Sequence, residues 1–401
     1  MARKRMVIGF LVPMIVLFWE ASGYAEEVRG VTDDTIKMGL ITALTGPVAN
    51  DMHPVYNSMK TYYKYINDSG GINGRKVKII AEDDRYVVPA GIAAFKKLVS
   101  RDKVLYIQGP SGSSIMVALM RQAEKEKVPI ISMTAGDKLV EPYKRYTFSL
   151  GSVYSDHQAV VFDYLMNDLK LKNPRIAIVY PDTDYGKLAR DGARESAKRH
   201  GMKMVTEEVL NMGDVDATSV IMSLMRKKPD YVIHQGITPT CIVFFKDSKK
   251  YKFKTNFIGT AAAVSEDAIE WFKRSDMKTY FGNHLVSAWY DDCPGSAKMR
   301  EITLRYNPGT ERQYASLYTR MYTAGWVISN VFFEGLKRAG RNLNAETLAD
   351  ALETFRDVDF GGISPPMTFT SKSHRPHRSS RMYKADVDKE KFIPITEWRQ
   401  P

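Results

Sequence analysis

The sequence predicts an α/β protein built as two doubly wound lobes, each with a parallel sheet, joined by a hinge that the chain crosses three times. Three observations lead there. At 401 residues the chain is longer than one compact core accommodates, because cores split into domains as chains lengthen. Short apolar runs alternate with longer stretches whose apolar residues recur at helical spacing, which is the mark of parallel βαβ units with helices on both sheet faces. The alternation starts afresh after Leu150, so it supplies two Rossmann-like halves and not one long sheet. A composition of 44% hydrophobic and 26% charged residues gives each half enough apolar surface for a core and argues against disorder.

The N-terminus reads as an export signal. Arg3, Lys4 and Arg5 form a basic start, Met6 to Trp19 an apolar stretch, and Gly23-Tyr24-Ala25 a small-residue cleavage site. The apolar stretch falls short of the ~20 residues that span a bilayer as a helix, so a cleaved signal over residues 1–25 is expected. No cysteine lies near the cleavage site, so a periplasmic protein without a lipid anchor is expected. Loss of Arg3, Lys4, Arg5 and Glu20 lowers the formal charge from +12 to +10. Export and the even spread of Lys and Arg argue against nucleic acid as the partner of that charge.

Ile36–Leu44 is the first expected strand. It is followed by Thr45-Gly46-Pro47 and a helix with Val55, Met59, Tyr62 and Ile66 on one face. The turn-rich run Asn67–Gly74 ends that helix before a strand at Val77–Ile80. A helix with Ile92, Phe95 and Val99 leads to strand Val104–Gln108, and a helix over Met116–Ala123 to strand Val128–Ser132. The second half reads as helix Ala159–Leu169, strand Arg175–Tyr180, helix Tyr185–Arg199, strand Met204–Val209, helix Ala217–Met225, strand Asp230–His234, helix Pro239–Lys246 and strand Phe257–Gly259. Two helices, Glu311–Ala339 and Ala345–Phe355, and a strand at Arg381–Val387 complete the chain. The helices are expected to return to the first lobe and the strand to the second. Lobe one then comprises 26–150 with 289–370, and lobe two 151–288 with 371–401, with crossings near 150–155, 286–290 and 370–378.

In such sheets ligands bind beyond the carboxyl ends of the strands, where helix N-termini direct amide N–H groups and a positive dipole outward. Gly109-Pro110-Ser111-Gly112-Ser113-Ser114 joins a strand to a helix and gathers hydroxyls and amides there, as a carboxylate requires. A plain helix cap is the alternative reading of one of these serines, and capping and ligand contact are compatible. Thr134 and Ala135 follow the next strand, offering a hydroxyl and a close approach to the backbone. Tyr185 stands at a helix start in the second lobe, where its ring either covers a ligand or packs on its own helix.

Nothing in the sequence demands catalysis, a metal or a cofactor. The seven histidines are scattered, neither cysteine neighbours a histidine, no Gly-x-Ser-x-Gly elbow occurs, and Asp83-Asp84 point in different directions. Cys241 lies in an apolar run and Cys293 in a turn, so two unpaired thiols are expected.

Several segments together resemble the periplasmic leucine/isoleucine/valine-binding protein family, the type I solute-binding proteins of hydrophobic-amino-acid ABC importers. They are Leu44-Thr45-Gly46-Pro47-Val48-Ala49, Ile66–Arg75 with its Ile-Asn-x-x-Gly-Gly-Ile-Asn-Gly signature, Asp83-Asp84, the Ser113-Ser114 loop, Arg175–Ile178 and Asp184-Tyr185-Gly186. The resemblance implies a periplasmic binding protein type I fold, a closing clamp with no enzymatic activity, and ABC permease and ATPase subunits as partners of a monomer. It places the ligand carboxylate on Ser113 or Ser114 and Thr134, and a covering ring on Tyr185. The chain departs from the family where a lobe-two acid pairs with a ligand ammonium, because Ala261 follows the Phe257-Ile258-Gly259 strand; Ile237 stands where a second tyrosine is usual. A carboxylic acid lacking the ammonium, aromatic or branched, suits that pattern, while Asp51 in the first crevice loop is a substitute acid that keeps amino acids open. A ligand-sensing module acting with a membrane partner is the alternative use of the same fold.

Overall fold

The computed structural model describes residues 28–401; the expected signal segment, 1–25, lies outside them. Lobe one is built from β1 (Thr35–Thr42), α1 (Ala49–Asp68), β2 (Lys76–Asp83), α2 (Val88–Lys96), β3 (Tyr106–Gln108), α3 (Ser113–Glu126), β4 (Ile130–Ser132), α4 (Asp137–Val140) and β5 (Thr147–Ser149). Its five parallel strands run in the order β2-β1-β3-β4-β5. The second sheet follows from α5 (Tyr154–Asp163), β6 (Ile176–Tyr180), α6 (Asp184–Arg199), β7 (Thr206–Val209), α7 (Thr218–Lys227), β8 (Tyr231–His234), α8 (Thr238–Lys250), β9 (Asn256–Thr260), α9 (Ile269–Arg274) and β10 (Thr279–His284). Then come α10 (Pro294–Tyr306), α11 (Arg320–Ala339), α12 (Ala345–Leu352), β11 (Arg381–Asp386) and β12 (Lys391–Pro394). The second sheet has seven strands in the order β12-β11-β10-β9-β8-β6-β7, antiparallel only at the β10-β11-β12 end. The fold is therefore two doubly wound α/β lobes, and the chain passes between the sheets after β5, after β10 and before β11.

Local chemistry explains the first unit. Val55, Met59, Tyr62 and Ile66 form the buried face of α1, against which α11 packs with Trp326 at 4.9 Å from the Tyr62 ring. Asn67 ends α1 by clasping β2: its Oδ1 accepts from Val77 N at 2.8 Å and its Nδ2 donates to Val77 O at 2.9 Å. Gly71, at φ +79°, turns so tightly that a Cβ would stand 2.1 Å from Arg75 O, which is why this turn takes glycine.

The returning helices depart from expectation. The helix expected from Glu311 starts only at Arg320, because Asn307-Pro308-Gly309 opens a run of turns, with Gly309 at φ +80°, that lasts to Thr319. An additional helix, α10, precedes it with proline in its first turn. β5, β10 and β12 had no counterpart in the sequence reading; Gly282, Asn283 and His284 interrupt the apolar run of β10, yet all of it from Tyr280 on is buried.

Arg320, at the start of α11, is 1% exposed and reaches across to the second lobe. It pairs with Glu266, and its guanidinium lies 4.5 Å from the Tyr383 ring and 5.3 Å from Phe392. Glu266 also accepts from Tyr290 Oη at 2.9 Å. Removing one partner of such a pair leaves a buried charge uncompensated, at a cost of about 3–5 kcal/mol. Urea denaturation of Glu266→Ala is expected to show a loss of that order, with the double variant Arg320→Met/Glu266→Met recovering most of it.

Candidate functional site

Both sheets place a topological switch point toward the same cleft, β1 beside β3 in one lobe and β6 beside β8 in the other. The loops at those points and their neighbours enclose a cavity of about 720 Å³, part of it open to solvent. Ser113, Thr134, Ala135, Tyr185, Asp51, Ile237 and Ala261 all line it. Ser114 does not; it sits one residue further into α3 and is only partly buried.

The hydroxyl wall belongs to lobe one. Gly109 follows β3 at φ +114°, where a Cβ would strike Ile41 O at 2.0 Å, so the chain can leave the strand here only as glycine. Asp84 then fixes the loop. Fully buried, its carboxylate accepts from Ser111 N at 3.0 Å, from Ser111 Oγ at 2.6 Å and from Tyr86 N at 2.9 Å, tying the loop after β2 to the loop after β3. Met116 N is bonded to Gly112 O at 2.9 Å, and the amides before it have no acceptor within α3. Thr134 Oγ1 lies 2.8 Å from Ser132 Oγ. Hydroxyls and free amides thus meet at one end of the cavity, at the positive end of a 14-residue helix.

Lobe two and the hinge contribute rings and apolar side chains. Tyr185 Oη donates to Gly236 O at 2.8 Å, which holds its ring against Tyr154, edge to face at 5.3 Å. Gly186 permits this helix start, since a Cβ there would meet Pro181 O at 2.0 Å. Tyr154, from the first turn of α5, crosses back to lobe one: its N donates to Ala135 O at 2.7 Å and its Oη lies 3.1 Å from Ser113 Oγ. Burial pushes its phenol up to about 12. Leu285 at the second crossing also lines the cavity, as do Met52, Met133, Leu150, Met321 and Ala324 of lobe one.

Sequence reasoning missed Tyr154, His157, His284 and Met321. They come from the hinge crossings and from the first turn of α11, where no strand-loop-helix pattern marks a ligand position; only the crossings themselves were legible. His157 and His284 are buried and neutral, the first held at about 4 and the second well below its ordinary value, both by desolvation.

Asp51 is the one carboxylate of the lining. It bridges the lobes, accepting from Thr238 Oγ1 at 3.1 Å. It also borders a wider neighbouring cavity together with Glu266, Asp267 and Arg320. Arg320 is committed to Glu266. Asp51 keeps partial solvent contact, yet desolvation between the lobes, and secondarily the charge of Asp267, lift it to about 6. Among the described residues, no group of three or more His, Cys, Asp or Glu is placed to hold a metal ion. Cys241 and Cys293 are both free thiols, the first buried beside His234 and the second near Ser296.

Two α/β lobes closing on a cavity of hydroxyls, rings and apolar walls define a binding protein of the two-lobed clamp class. A family model described as "periplasmic binding protein" matches residues 35–391, and the chain belongs to that family. The Leu/Ile/Val/Thr-binding protein of Salmonella typhimurium is 26% identical over 228 residues, which are 56% of this chain and 61% of that protein. The Leu/Ile/Val-binding protein of Escherichia coli is 25% identical over the same shares. The alignments thus span about three-fifths of these relatives. Among solved structures, a fatty acid ABC transporter substrate-binding protein from Thermomonospora curvata superposes with a TM-score of 0.83 at 21% identity, covering 94% of this chain and 95% of that one. A branched chain amino acid ABC transporter from Thermus thermophilus with bound valine also gives 0.83, at 20% identity over 92% and 98%. At these identities the structural likeness is one of fold. No helix of the described residues is long and apolar enough to cross a membrane.

The Asp51 carboxyl yields a pH prediction. Its pKa in the fold, about 6, exceeds the ordinary 3.8, so the folded form holds the proton more tightly than the unfolded chain. The stability it contributes is fully present below the ordinary value and is lost as pH rises through about 6. Subtracting the melting profile of Asp51→Asn from that of the unliganded wild type should leave a component that falls between these two pH values and is flat above them, on the order of 2 kcal/mol or less.

Proposed function

We propose that this chain is the extracytoplasmic solute-binding subunit of an ABC importer, binding a small carboxylate with an apolar body between lobes that close over it. The observation that carries this reading is the cavity whose lobe-one wall gathers Ser113, Thr134 and the free amides of α3, while the rest of its lining is rings, methionines and aliphatic side chains with one carboxylate, Asp51. The lobe boundaries proposed are 26–150 with 289–370 and 151–288 with 371–401, in keeping with the two sheets. The family supports binding without chemistry, and relatives named for ABC transport support permease and ATPase subunits as partners. The N-terminal basic and apolar sequence supports export to the periplasm.

Ligand class follows from what the cavity holds opposite the hydroxyls. Ala261 offers no charge, and Asp51 is tied to Thr238, so an ammonium has no preformed partner beside it, and burying an unpaired cation costs several kcal/mol. Apolar carboxylic acids are therefore the proposed ligands over leucine, isoleucine and valine. A thermal-shift screen of protein cleared of co-purified ligand tests this, since stabilisation grows with [L]/Kd. Larger shifts with the acids are expected; large shifts with the amino acids alone, lost in Asp51→Asn, would reverse the assignment.

Hydrogen bonds to a charged group contribute about 1.5–3 kcal/mol, roughly ten- to hundredfold in affinity. Calorimetry with the best acid from that screen should show losses of that size in Ser113→Ala and in Thr134→Ala and little change in Ser114→Ala. Wild-type affinity in both of the first two would remove the carboxylate from this wall.

A further inference from the structure

The hinge-side floor of the cavity carries a hydrogen-bond pattern that the protein itself leaves incomplete. Ser152 Oγ has one proton, and it is directed to Ser379 O at 2.9 Å. His157 Nε2 lies 2.9 Å from the same Oγ and so must be the donor. This fixes the tautomer: His157 carries its proton on Nε2 and a bare lone pair on Nδ1. That Nδ1 is shut off from solvent and has no partner among the described residues, although buried polar atoms are nearly always paired. His284 is fixed in the same sense. Its Nδ1 accepts from Val286 N at 3.2 Å, so its proton is on Nε2, for which the described residues supply no acceptor. Both rings line the cavity.

We infer that His157 and His284 form a subsite for a hydroxyl group on the ligand, set apart from the carboxylate at Ser113 and Thr134. The inference rests on the carboxylate reading given above. One imidazole there accepts and the other donates, and a hydroxyl does both at once. A carboxylate is repelled by the Nδ1 lone pair, and an ammonium cannot accept from His284. Desolvation keeps both rings neutral at ordinary pH, so the donor-acceptor pair persists. The ligand class is thus an apolar carboxylic acid that also bears an alcohol or phenol.

Calorimetry on the wild-type protein, cleared of ligand, with five probes decides this: phenylpropanoate, its para-hydroxy derivative, the para-methoxy ether of that phenol, octanoate and its terminal hydroxy derivative. In at least one scaffold the hydroxy acid should bind about tenfold or more tightly than its parent, and the ether, which keeps an acceptor but has no donor, should lose any gain the phenol shows. His157→Phe should lose the hydroxyl preference, hydroxy acid and parent then binding within about twofold of each other whatever the change common to both. Should that variant not fold, nitrogen NMR of the wild-type imidazoles replaces it, with the His157 Nδ1 resonance moving on addition of the hydroxy acid and not of its parent. Equal affinities within both scaffolds, or an ether as tight as the phenol, would overturn the inference and leave the carboxylate reading standing. Binding of none of the five removes the carboxylate reading and this inference with it.

Discussion

The buried pair of Arg320 and Glu266 is the interaction on which the closed arrangement of the lobes depends. A guanidinium that is 1% exposed cannot remain in an apolar interior without a counter-charge, and the fold supplies that charge from the opposite lobe. The rings of Tyr383 and Phe392 take the faces of the guanidinium, while Tyr290 Oη steadies the carboxylate. Arg320 opens α11, which packs on α1; Glu266, Tyr383 and Phe392 sit with the second sheet. The pair therefore joins the two bodies beside the crossing that follows β10. A lysine would supply the charge but not the planar group that packs on these rings.

Around that anchor the cleft is arranged in dipoles more than in charges. Its lobe-one wall is the positive end of α3 with hydroxyls in front, and the acid nearest this wall, Asp84, is consumed by Ser111 and Tyr86 and faces the loops it ties together. Its floor is two neutral imidazoles. Two further carboxyls, Asp51 and Asp267, stand at the edge toward the wider cavity, the first bonded to Thr238, and burial lifts each to about 6. On the proposed reading, an anionic head attracted to the helix terminus would lie away from the acids, the electrostatics setting the direction of the ligand.

Much of this was legible in the sequence because doubly wound lobes repeat a short grammar. Strand, turn and helix each have a local signal, and the rule that ligands lie beyond the carboxyl ends of strands pointed to the loops of Asp51, Ser113, Thr134, Ala135 and Tyr185, while the family resemblance singled out Ile237 and Ala261; all seven line one cavity. What failed were mostly features decided by long-range packing. β10 is a strand with polar and glycine residues because β9 and β11 flank it; the helix expected from Glu311 was a local misreading, since Asn307-Pro308-Gly309 opens the run of turns in which Tyr318 stacks on Trp289 at 4.0 Å. Asp84 was read as half of an adjacent pair facing different ways; that much is geometry, but its partner, Ser111, lies 27 residues on and no spacing rule reaches it. His157 and His284 are cavity residues only because two crossings separated by more than a hundred residues lie side by side.

The hinge is consequently part of the site and not merely its support. Tyr154 opens α5 at the first crossing, and its N and Oη both engage lobe one, at Ala135 and Ser113. His284 ends β10 at the second crossing, and Ser379, which orients Ser152 and through it His157, belongs to the third. Any rotation of the lobes about these three segments must move the groups that form the floor and one wall of the cavity. A ligand can shift the balance between open and closed forms only by as much as it prefers one of them. The hydroxyl wall, the rings and the imidazoles are brought onto one cavity by all three crossings, so a ligand that contacted all of them would favour this geometry over any that parts them.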